Sequence, residues 1–345
     1  MLLSTPTSLL NGHDAVTLDQ GVGLLAICGD LAAGRPIDDA PAGLAARLQR
    51  AHPDPAIAAD IAATLGLPAS IEAALRAGHG DADASSADFL PVSASLTLVA
   101  DVAELALPWF AGHTRRVAAL VQEAAGLAGL AHDDGRLLVR AALLHGLGRA
   151  GVPVAVWTQR GKLNAAGRDA VRRAPHWTAR LGAAVGGLDL ESQLASTVYE
   201  RLDGSGYYRR LDAQSLGMPQ RLLAAGVAWV ALRSPRPWRA PHAASAARAL
   251  LAAQVSGGRL DRVAVDAICA AAANLPAYAP AHSPLSARET DILRRLSLGE
   301  SVRDMARALR LSSAAIHTHR DRILLALGCA TRPAATLRAL TLNLI

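Results

Sequence analysis

Three serines and two glycines fix the register of the last 63 residues. Ser286-x-x-Glu289 and Ser301-x-x-Asp304 have the form of capping boxes, in which the hydroxyl accepts from a free N–H of the first turn and the carboxylate reaches back to the cap's own N–H. Ser312 is a third N-cap, and Gly299 and Gly328 suit helix ends. Between these marks apolar residues recur at helical spacing: Ile292, Leu293 and Leu296, then Val302, Met305, Ala306 and Leu309, then Ile316, Ile323 and Leu327. A segment so punctuated folds as three short helices, the second and third joined by a tight turn at Arg310 and Leu311. Pro333 suits the first position of a fourth helix, with Leu337, Leu340 and Leu344 as its stripe.

The third helix of this helix–turn–helix offers His317, Arg320 and Arg322 to solvent. The segment carries ten arginines against five acids, so +5 of the chain's net +6 lies here. The chain's sole lysine is Lys162, a bias that reads as codon usage rather than function. Leu285-Ser-Ala-Arg-Glu289, Leu298-Gly299-Glu-Ser301, Met305-Ala306, Leu311-Ser312, Ile316-His-Thr-His319-Arg320, Ile323-Leu324 and Leu327-Gly328 resemble the LuxR-type helix–turn–helix in one register. The resemblance implies that helix three enters the major groove of double-stranded DNA and that the fourth helix pairs two copies as a homodimer. DNA contacts are expected from Arg288, Ser312, Ser313, His317, Thr318, Arg320 and Arg322. Ala314, Ala315 and Ala326 stand where the family often has Lys or Thr, which removes phosphate contacts and flattens the salt dependence. The competing reading is a dimerisation module that no longer binds DNA.

Upstream, 51% of residues are hydrophobic but only 3% aromatic, so Ala, Leu and Val supply the apolar mass. That composition favours helix and excludes both an all-β fold and disorder. Cys28, Cys269 and Cys329 lie too far apart in sequence for a readable disulfide framework or thiolate metal site, and a reducing cytoplasm is the expected setting. Met1–Leu10 lacks a signal-peptide pattern, and the apolar run Leu96–Leu107 is broken by Asp101 and Glu104, so no membrane span is expected.

Five central segments appear in order: Gly112-His113-Thr-Arg-Arg-Val117, Ala142-Leu-Leu-His145-Gly146-Leu-Gly148-Arg149-Ala-Gly151-Val152-Pro153, Arg173-Ala174-Pro175, Glu200-Arg-Leu-Asp203-Gly-Ser-Gly-Tyr207 and Arg236-Pro237-Trp238-Arg239. Together they resemble an HD-GYP domain, a helical phosphohydrolase module that the resemblance associates with a two- or three-iron centre and cyclic di-GMP. Its seven ligand positions fall on His113, His145, Gly146, Ala174, Val198, Tyr199 and Val227, of which only His113 and His145 are donors. Gly146 replaces the bridging aspartate and Arg149 the lysine beside the site. The expectation is a catalytically dead domain with no cofactor, His113 and His145 being hydrogen-bonded core histidines. The loop Asp203, Gly204, Ser205, Gly206 and Tyr207 has glycines that let backbone approach a phosphate, with Arg201, Arg209 and Arg210 adding charge. A loop kept only as a connector explains the same residues.

Arg47–Gly78 resembles a decayed second HD half. The expected organisation is all-α: a degenerate HD-like region at 1–92, an HD-GYP-like bundle at 93–275, a linker at 276–284 and a four-helix LuxR-type domain at 285–345. The leading reading is a cytoplasmic transcriptional regulator. The alternatives are a metal-dependent cyclic di-GMP phosphodiesterase, or a non-catalytic scaffold binding a cyclic dinucleotide or a signalling protein.

Overall fold

A computed structural model describes residues 15–17, 20, 23–25, 28, 93–159, 161–236, 238–275, 283–329, 331–342 and 344–345. The upstream bundle runs α1 (Leu96–Glu104), α2 (His113–Leu127), α3 (His132–Leu144), α4 (Val154–Thr158), α5 (Ala165–Val185), α6 (Asp189–Ala195), α7 (Met218–Arg233), α8 (Ala244–Ser256) and α9 (Arg262–Asn274). The downstream unit is α10 (Ala287–Ser297), α11 (Val302–Leu309), α12 (Ser313–Leu327) and α13 (Arg332–Thr341). Beyond the all-α expectation, the described residues include one ribbon, β1 (Ala15–Thr17) antiparallel to β2 (Ser93–Ser95), pairing Val16 with Ala94.

In the bundle, α2 packs on α3, α7 and α9, and α6 bridges α3 and α5. Its core is aliphatic, with Val117, Val121, Leu138, Leu143, Leu222 and Ile268 all buried. The 3₁₀ turn Leu147–Gly151 lies against α5 so closely that a Cβ on Gly148 would stand 2.1 Å from the Ala174 carbonyl oxygen. Only glycine permits that approach. Val16, Leu24 and Cys28 belong to the same core as the bundle, so the described part of 1–92 packs as an extension of it. Arg47–Gly78, read as a second HD half, lies outside the described residues, as do residues 276–282 of the linker.

The downstream helices start and stop where the punctuation places them. The Ser286–Glu289 box is complete, whereas at Ser301 only half of it forms: Ser301 Oγ accepts from Asp304 N at 3.2 Å and bonds Asp304 Oδ2 at 2.6 Å. Aspartate is one methylene shorter than glutamate, which accounts for the missing reach to the cap N–H. Arg310 closes α11 in the left-handed conformation at φ 55° and Gly328 closes α12 at φ 63°. Thr331 caps α13, so Arg332 rather than Pro333 takes its first position. Ile292, Met305, Ile316, Ile323, Leu327, Ala339 and Leu340 form the core of this unit, which Leu105 of the upstream bundle joins.

Candidate functional site: a histidine pair closed by arginine

His113 opens α2 and His145 follows the last residue of α3, so packing of the two helices brings the rings to 5.8 Å between centroids. They are 1% and 2% exposed. His145 Nδ1 donates to the Ala142 carbonyl, which leaves Nε2 as the acceptor, and Arg149 Nη2 lies 2.9 Å from it. Burial, reinforced by the Arg149 charge, pushes His145 down to about 3, and His113 is lowered well below the usual imidazole value for the same two reasons. Both rings are therefore neutral near pH 7. His145 is hydrogen-bonded through both ring nitrogens, while Nδ1 of His113 is buried without a hydrogen bond and that ring packs edge-on against Phe110 at 5.1 Å.

The remaining floor comes from residues the sequence reading passed over. Glu104, 5% exposed at the end of α1, accepts from His113 N at 3.0 Å, from Thr114 N at 2.9 Å and from Thr114 Oγ1 at 2.6 Å, and Arg149 Nη1 stands 3.7 Å away. Burial raises its carboxyl to about 7, against the pull of Arg149 and Thr114. Asp101, one turn earlier, is ion-paired with Arg115. Arg149 and Arg236 both lie over the Phe110 ring, at 4.3 and 4.4 Å. Burial lowers Arg236 to about 10. Glu104 and Asp101 entered the sequence reading only as interruptions of an apolar run; acids on an otherwise apolar helix demand buried partners, and that was the available signal.

This donor set does not fit a dinuclear metal centre. Catalytic metals need several converging imidazoles and carboxylates, and among the described residues no three His, Cys, Asp or Glu side chains converge. Val198, Val227 and Ala174 are buried apolar positions, 1%, 4% and 3% exposed, and Tyr199 stacks on Tyr207 at 5.1 Å. A Cβ on Gly146 would meet Arg149 Nη1 at 2.7 Å and Thr114 Oγ1 at 2.9 Å, so the guanidinium fills the space a side chain at 146 would use. His176 packs against Trp177 and Tyr208, away from the histidine pair.

The loop 203–207 is largely self-satisfied. Asp203 Oδ1 accepts from Ser205 N and Ser205 Oγ, and buried Glu200 holds the following strand of loop through Arg209 N at 2.7 Å and Leu211 N at 3.0 Å. A Cβ on Gly206 would fall 2.4 Å from Glu200 Cα, which explains that glycine structurally. Arg201 bonds the Glu200 carbonyl and Arg209 reaches Ser196, so of the three arginines expected to add charge only Arg210 lines the adjoining cavity of about 520 Å³. Arg172 and Arg173 of α5 join it there, with Gly204, Gly206, Tyr207 and Tyr208.

On the downstream unit, Arg288, Ser312, Ser313, His317, Thr318 and Arg322 are exposed. The Ser312 hydroxyl caps α12 by accepting from Ala315 N at 3.1 Å, as its reading as an N-cap expects. Arg320 lies one turn after Ile316, on the flank of the buried stripe, and is held by Asp321 Oδ1 through Nε at 2.9 Å and Nη2 at 2.8 Å. Half-buried His319 faces Glu289 of α10 at 3.8 Å. Among the described residues no single helix is long and apolar enough to cross a membrane.

The HD domain family matches residues 97–263, and the family described as bacterial regulatory proteins, luxR family, matches residues 283–339. A 3'3'-cGAMP-specific phosphodiesterase 1 of Vibrio cholerae is 29% identical over 171 residues, covering 50% of this chain and 40% of its own. The cyclic di-GMP phosphodiesterase response regulator RpfG of Xanthomonas campestris is 32% identical over 174 residues, covering 50% of this chain and 45% of its own. A 3'3'-cGAMP-specific phosphodiesterase 3 of Vibrio cholerae is 30% identical over 145 residues, 42% of this chain and 32% of its own. The chain thus spans less than half the length of these relatives.

Proposed function

This chain carries an HD domain followed by a C-terminal LuxR-type helix–turn–helix, and from that premise we propose that it is a dimeric, cytoplasmic DNA-binding transcriptional regulator whose HD-type bundle serves as a non-catalytic input domain. The observation that carries the loss of catalysis is the placement of Arg149: its guanidinium caps His145 Nε2 and takes up the space beside Gly146. A permanent cation at the nitrogen that would ligate a metal repels one. Exposed His317, Thr318 and Arg322 on α12 support the DNA reading, with the α12 N-terminus behind Ser312 and Ser313 adding favourable backbone donors for phosphate.

The test combines metal analysis, turnover of 3'3'-cGAMP and cyclic di-GMP, and retardation of duplex DNA over a salt series. The expected result is no stoichiometric iron or manganese, no turnover above a protein-free control, and binding that weakens steeply with salt. Stoichiometric metal with turnover of either dinucleotide would replace this reading with the phosphodiesterase one, and no DNA binding even at low salt would favour the scaffold.

The cavity beside the loop favours a second role for the bundle, binding a cyclic dinucleotide without cleaving it. Arg172, Arg173 and Arg210, against the single acid Asp169, supply net positive charge for phosphates, and Tyr208 supplies an aromatic ring for a base. Equilibrium dialysis of cyclic di-GMP against the protein and its Arg172→Ala, Arg173→Ala double variant tests it: binding that is weak in the variant supports this role, and equal binding or none refutes it.

A further inference from the structure

α1 has nine residues and three working faces. Leu96, Val99 and Ala100 are buried, and Leu96 and Val99 belong to the core of the HD-type bundle. Asp101 and Glu104 reach the charged cluster, the first paired with Arg115 and the second bonded to Thr114 and close to Arg149. On the third face Leu98 and Val102 pack, with Leu105 just beyond the helix, against the core of the downstream unit, and α1 contacts α13 directly. At 100° per residue these sets fall about a third of a turn apart, so each face has its own partner.

α13 is the helix that the LuxR resemblance assigns to pairing two copies. Of its expected stripe, Leu340 is 2% exposed and Leu344 is packed in the same cluster as Leu105. The reading helix is left alone: His317, Thr318 and Arg322 of α12 stay exposed.

We propose that α1 is an autoinhibitory clasp, holding α13 through Leu98, Val102 and Leu105 so that it is unavailable to a second copy, and released when Asp101 and Glu104 lose their partners in the arginine-closed cluster. The inference rests on the reading of 283–345 as a DNA reader that works as a dimer. It makes the arginine-closed histidine cluster the input and dimerisation the output, with no need to cover the DNA-contacting residues. A nine-residue helix with no free face moves as a unit, so a change at Glu104 is felt at Val102, two residues away in sequence and on the adjoining face.

The test uses the full chain and sedimentation equilibrium, which needs no DNA and so separates this inference from the functional one. Leu98→Ser with Val102→Ser leaves the buried face of α1 intact; the expected result is a dimer dissociation constant lower than wild type by about tenfold or more, as when a competent state is released from a minor population. Glu104→Gln, which keeps the side-chain shape but drops the charge facing Arg149, is expected to move in the same direction. Unchanged self-association in the serine variant overturns the clasp, and unchanged self-association in Glu104→Gln overturns its coupling to the cluster. If the serine variant fails to fold, amide exchange of wild type decides: α1 and α13 losing protection together as concentration drives dimerisation supports the clasp, and a dimer whose α1 amides are as protected as in the monomer refutes it.

Discussion

Arg149 Nη2 lies 2.9 Å from His145 Nε2, while Nη1 of the same guanidinium stands 3.7 Å from Glu104 Oε1. One arginine thus occupies the lone pair of a histidine and neutralises a carboxylate, two tasks that a metal ion performs elsewhere. The cation is part of the chain, so it cannot be removed by a chelator or lost at low pH.

Removing it should therefore unsettle the bundle. Arg149→Ala leaves Glu104, 5% exposed, without its neighbouring cation and His145 Nε2 without a partner, and leaving a buried polar group unsatisfied costs about 1–3 kcal/mol. Arg149→Lys retains the charge but not the planar fork, and should lose less. Urea unfolding at neutral pH measures both; an alanine variant as stable as wild type would refute the counter-ion role.

Supplying a carboxylate at position 146 tests the same geometry from the other side. Gly146→Asp alone forces a side chain into the space of Arg149 Nη1, 2.7 Å from the new Cβ, and overpacking of this kind costs about 1–3 kcal/mol. Combined with Arg149→Ala, the new carboxylate joins His113 and His145 in a space freed of the guanidinium. Added Mn²⁺ or Zn²⁺ should then raise the stability of the double variant, by about 2.7 kcal/mol at a hundredfold excess over its dissociation constant, and leave wild type unchanged. Thermal melts with and without metal give the answer.

The downstream unit was legible because its signals are local. Ser286 with Glu289, Gly299, Ser312 and Gly328 each act within one turn of helix, and each lies at or just beyond a helix boundary. The missing half of the Ser301 box was a matter of one methylene. The closed histidine pair was legible only as a set of missing ligands. That Arg149 turns inward, that Glu104 meets it from another helix, and that Arg236 reaches Phe110 from 126 residues away are consequences of packing. The contact of Leu98, Val102 and Leu105 with the downstream core left no mark beyond an apolar run, since leucine and valine read alike whether they face their own bundle or its neighbour.

Titration of the histidine pair gives a pH signature. His145 is lowered to about 3 from 6.5 because burial and Arg149 disfavour its charged form. In the unfolded chain it takes up a proton near 6.5 and in the folded one it does not, so the unfolded state binds more protons in between and stability falls as pH drops. The stability difference between wild type and His145→Asn should be constant above pH 7 and shrink below 6.5 with a slope approaching 1.4 kcal/mol per pH unit. Urea midpoints at pH 7.5, 6 and 5 measure it; a difference independent of pH would mean that His145 is accessible and ordinary.

On the DNA-reading side the informative pair is Arg320 and Asp321. Asp321 is 64% exposed on α12 and holds both Nε and Nη2 of Arg320. Asp321→Asn removes a negative charge and frees the guanidinium; at about 1 kcal/mol per charge pair a few ångströms apart in water, duplex affinity at low salt should rise roughly fivefold. Arg322→Ala, which removes an exposed cation, should lower affinity for all sequences alike and reduce the salt slope by about one. Both variants leave Ile316, Ile323 and Leu327 in place, so helix content serves as the folding control. The two changes must move affinity in opposite directions under one salt series. If Asp321→Asn weakens binding instead, the Arg320–Asp321 pair is itself part of the reading surface rather than a restraint upon it.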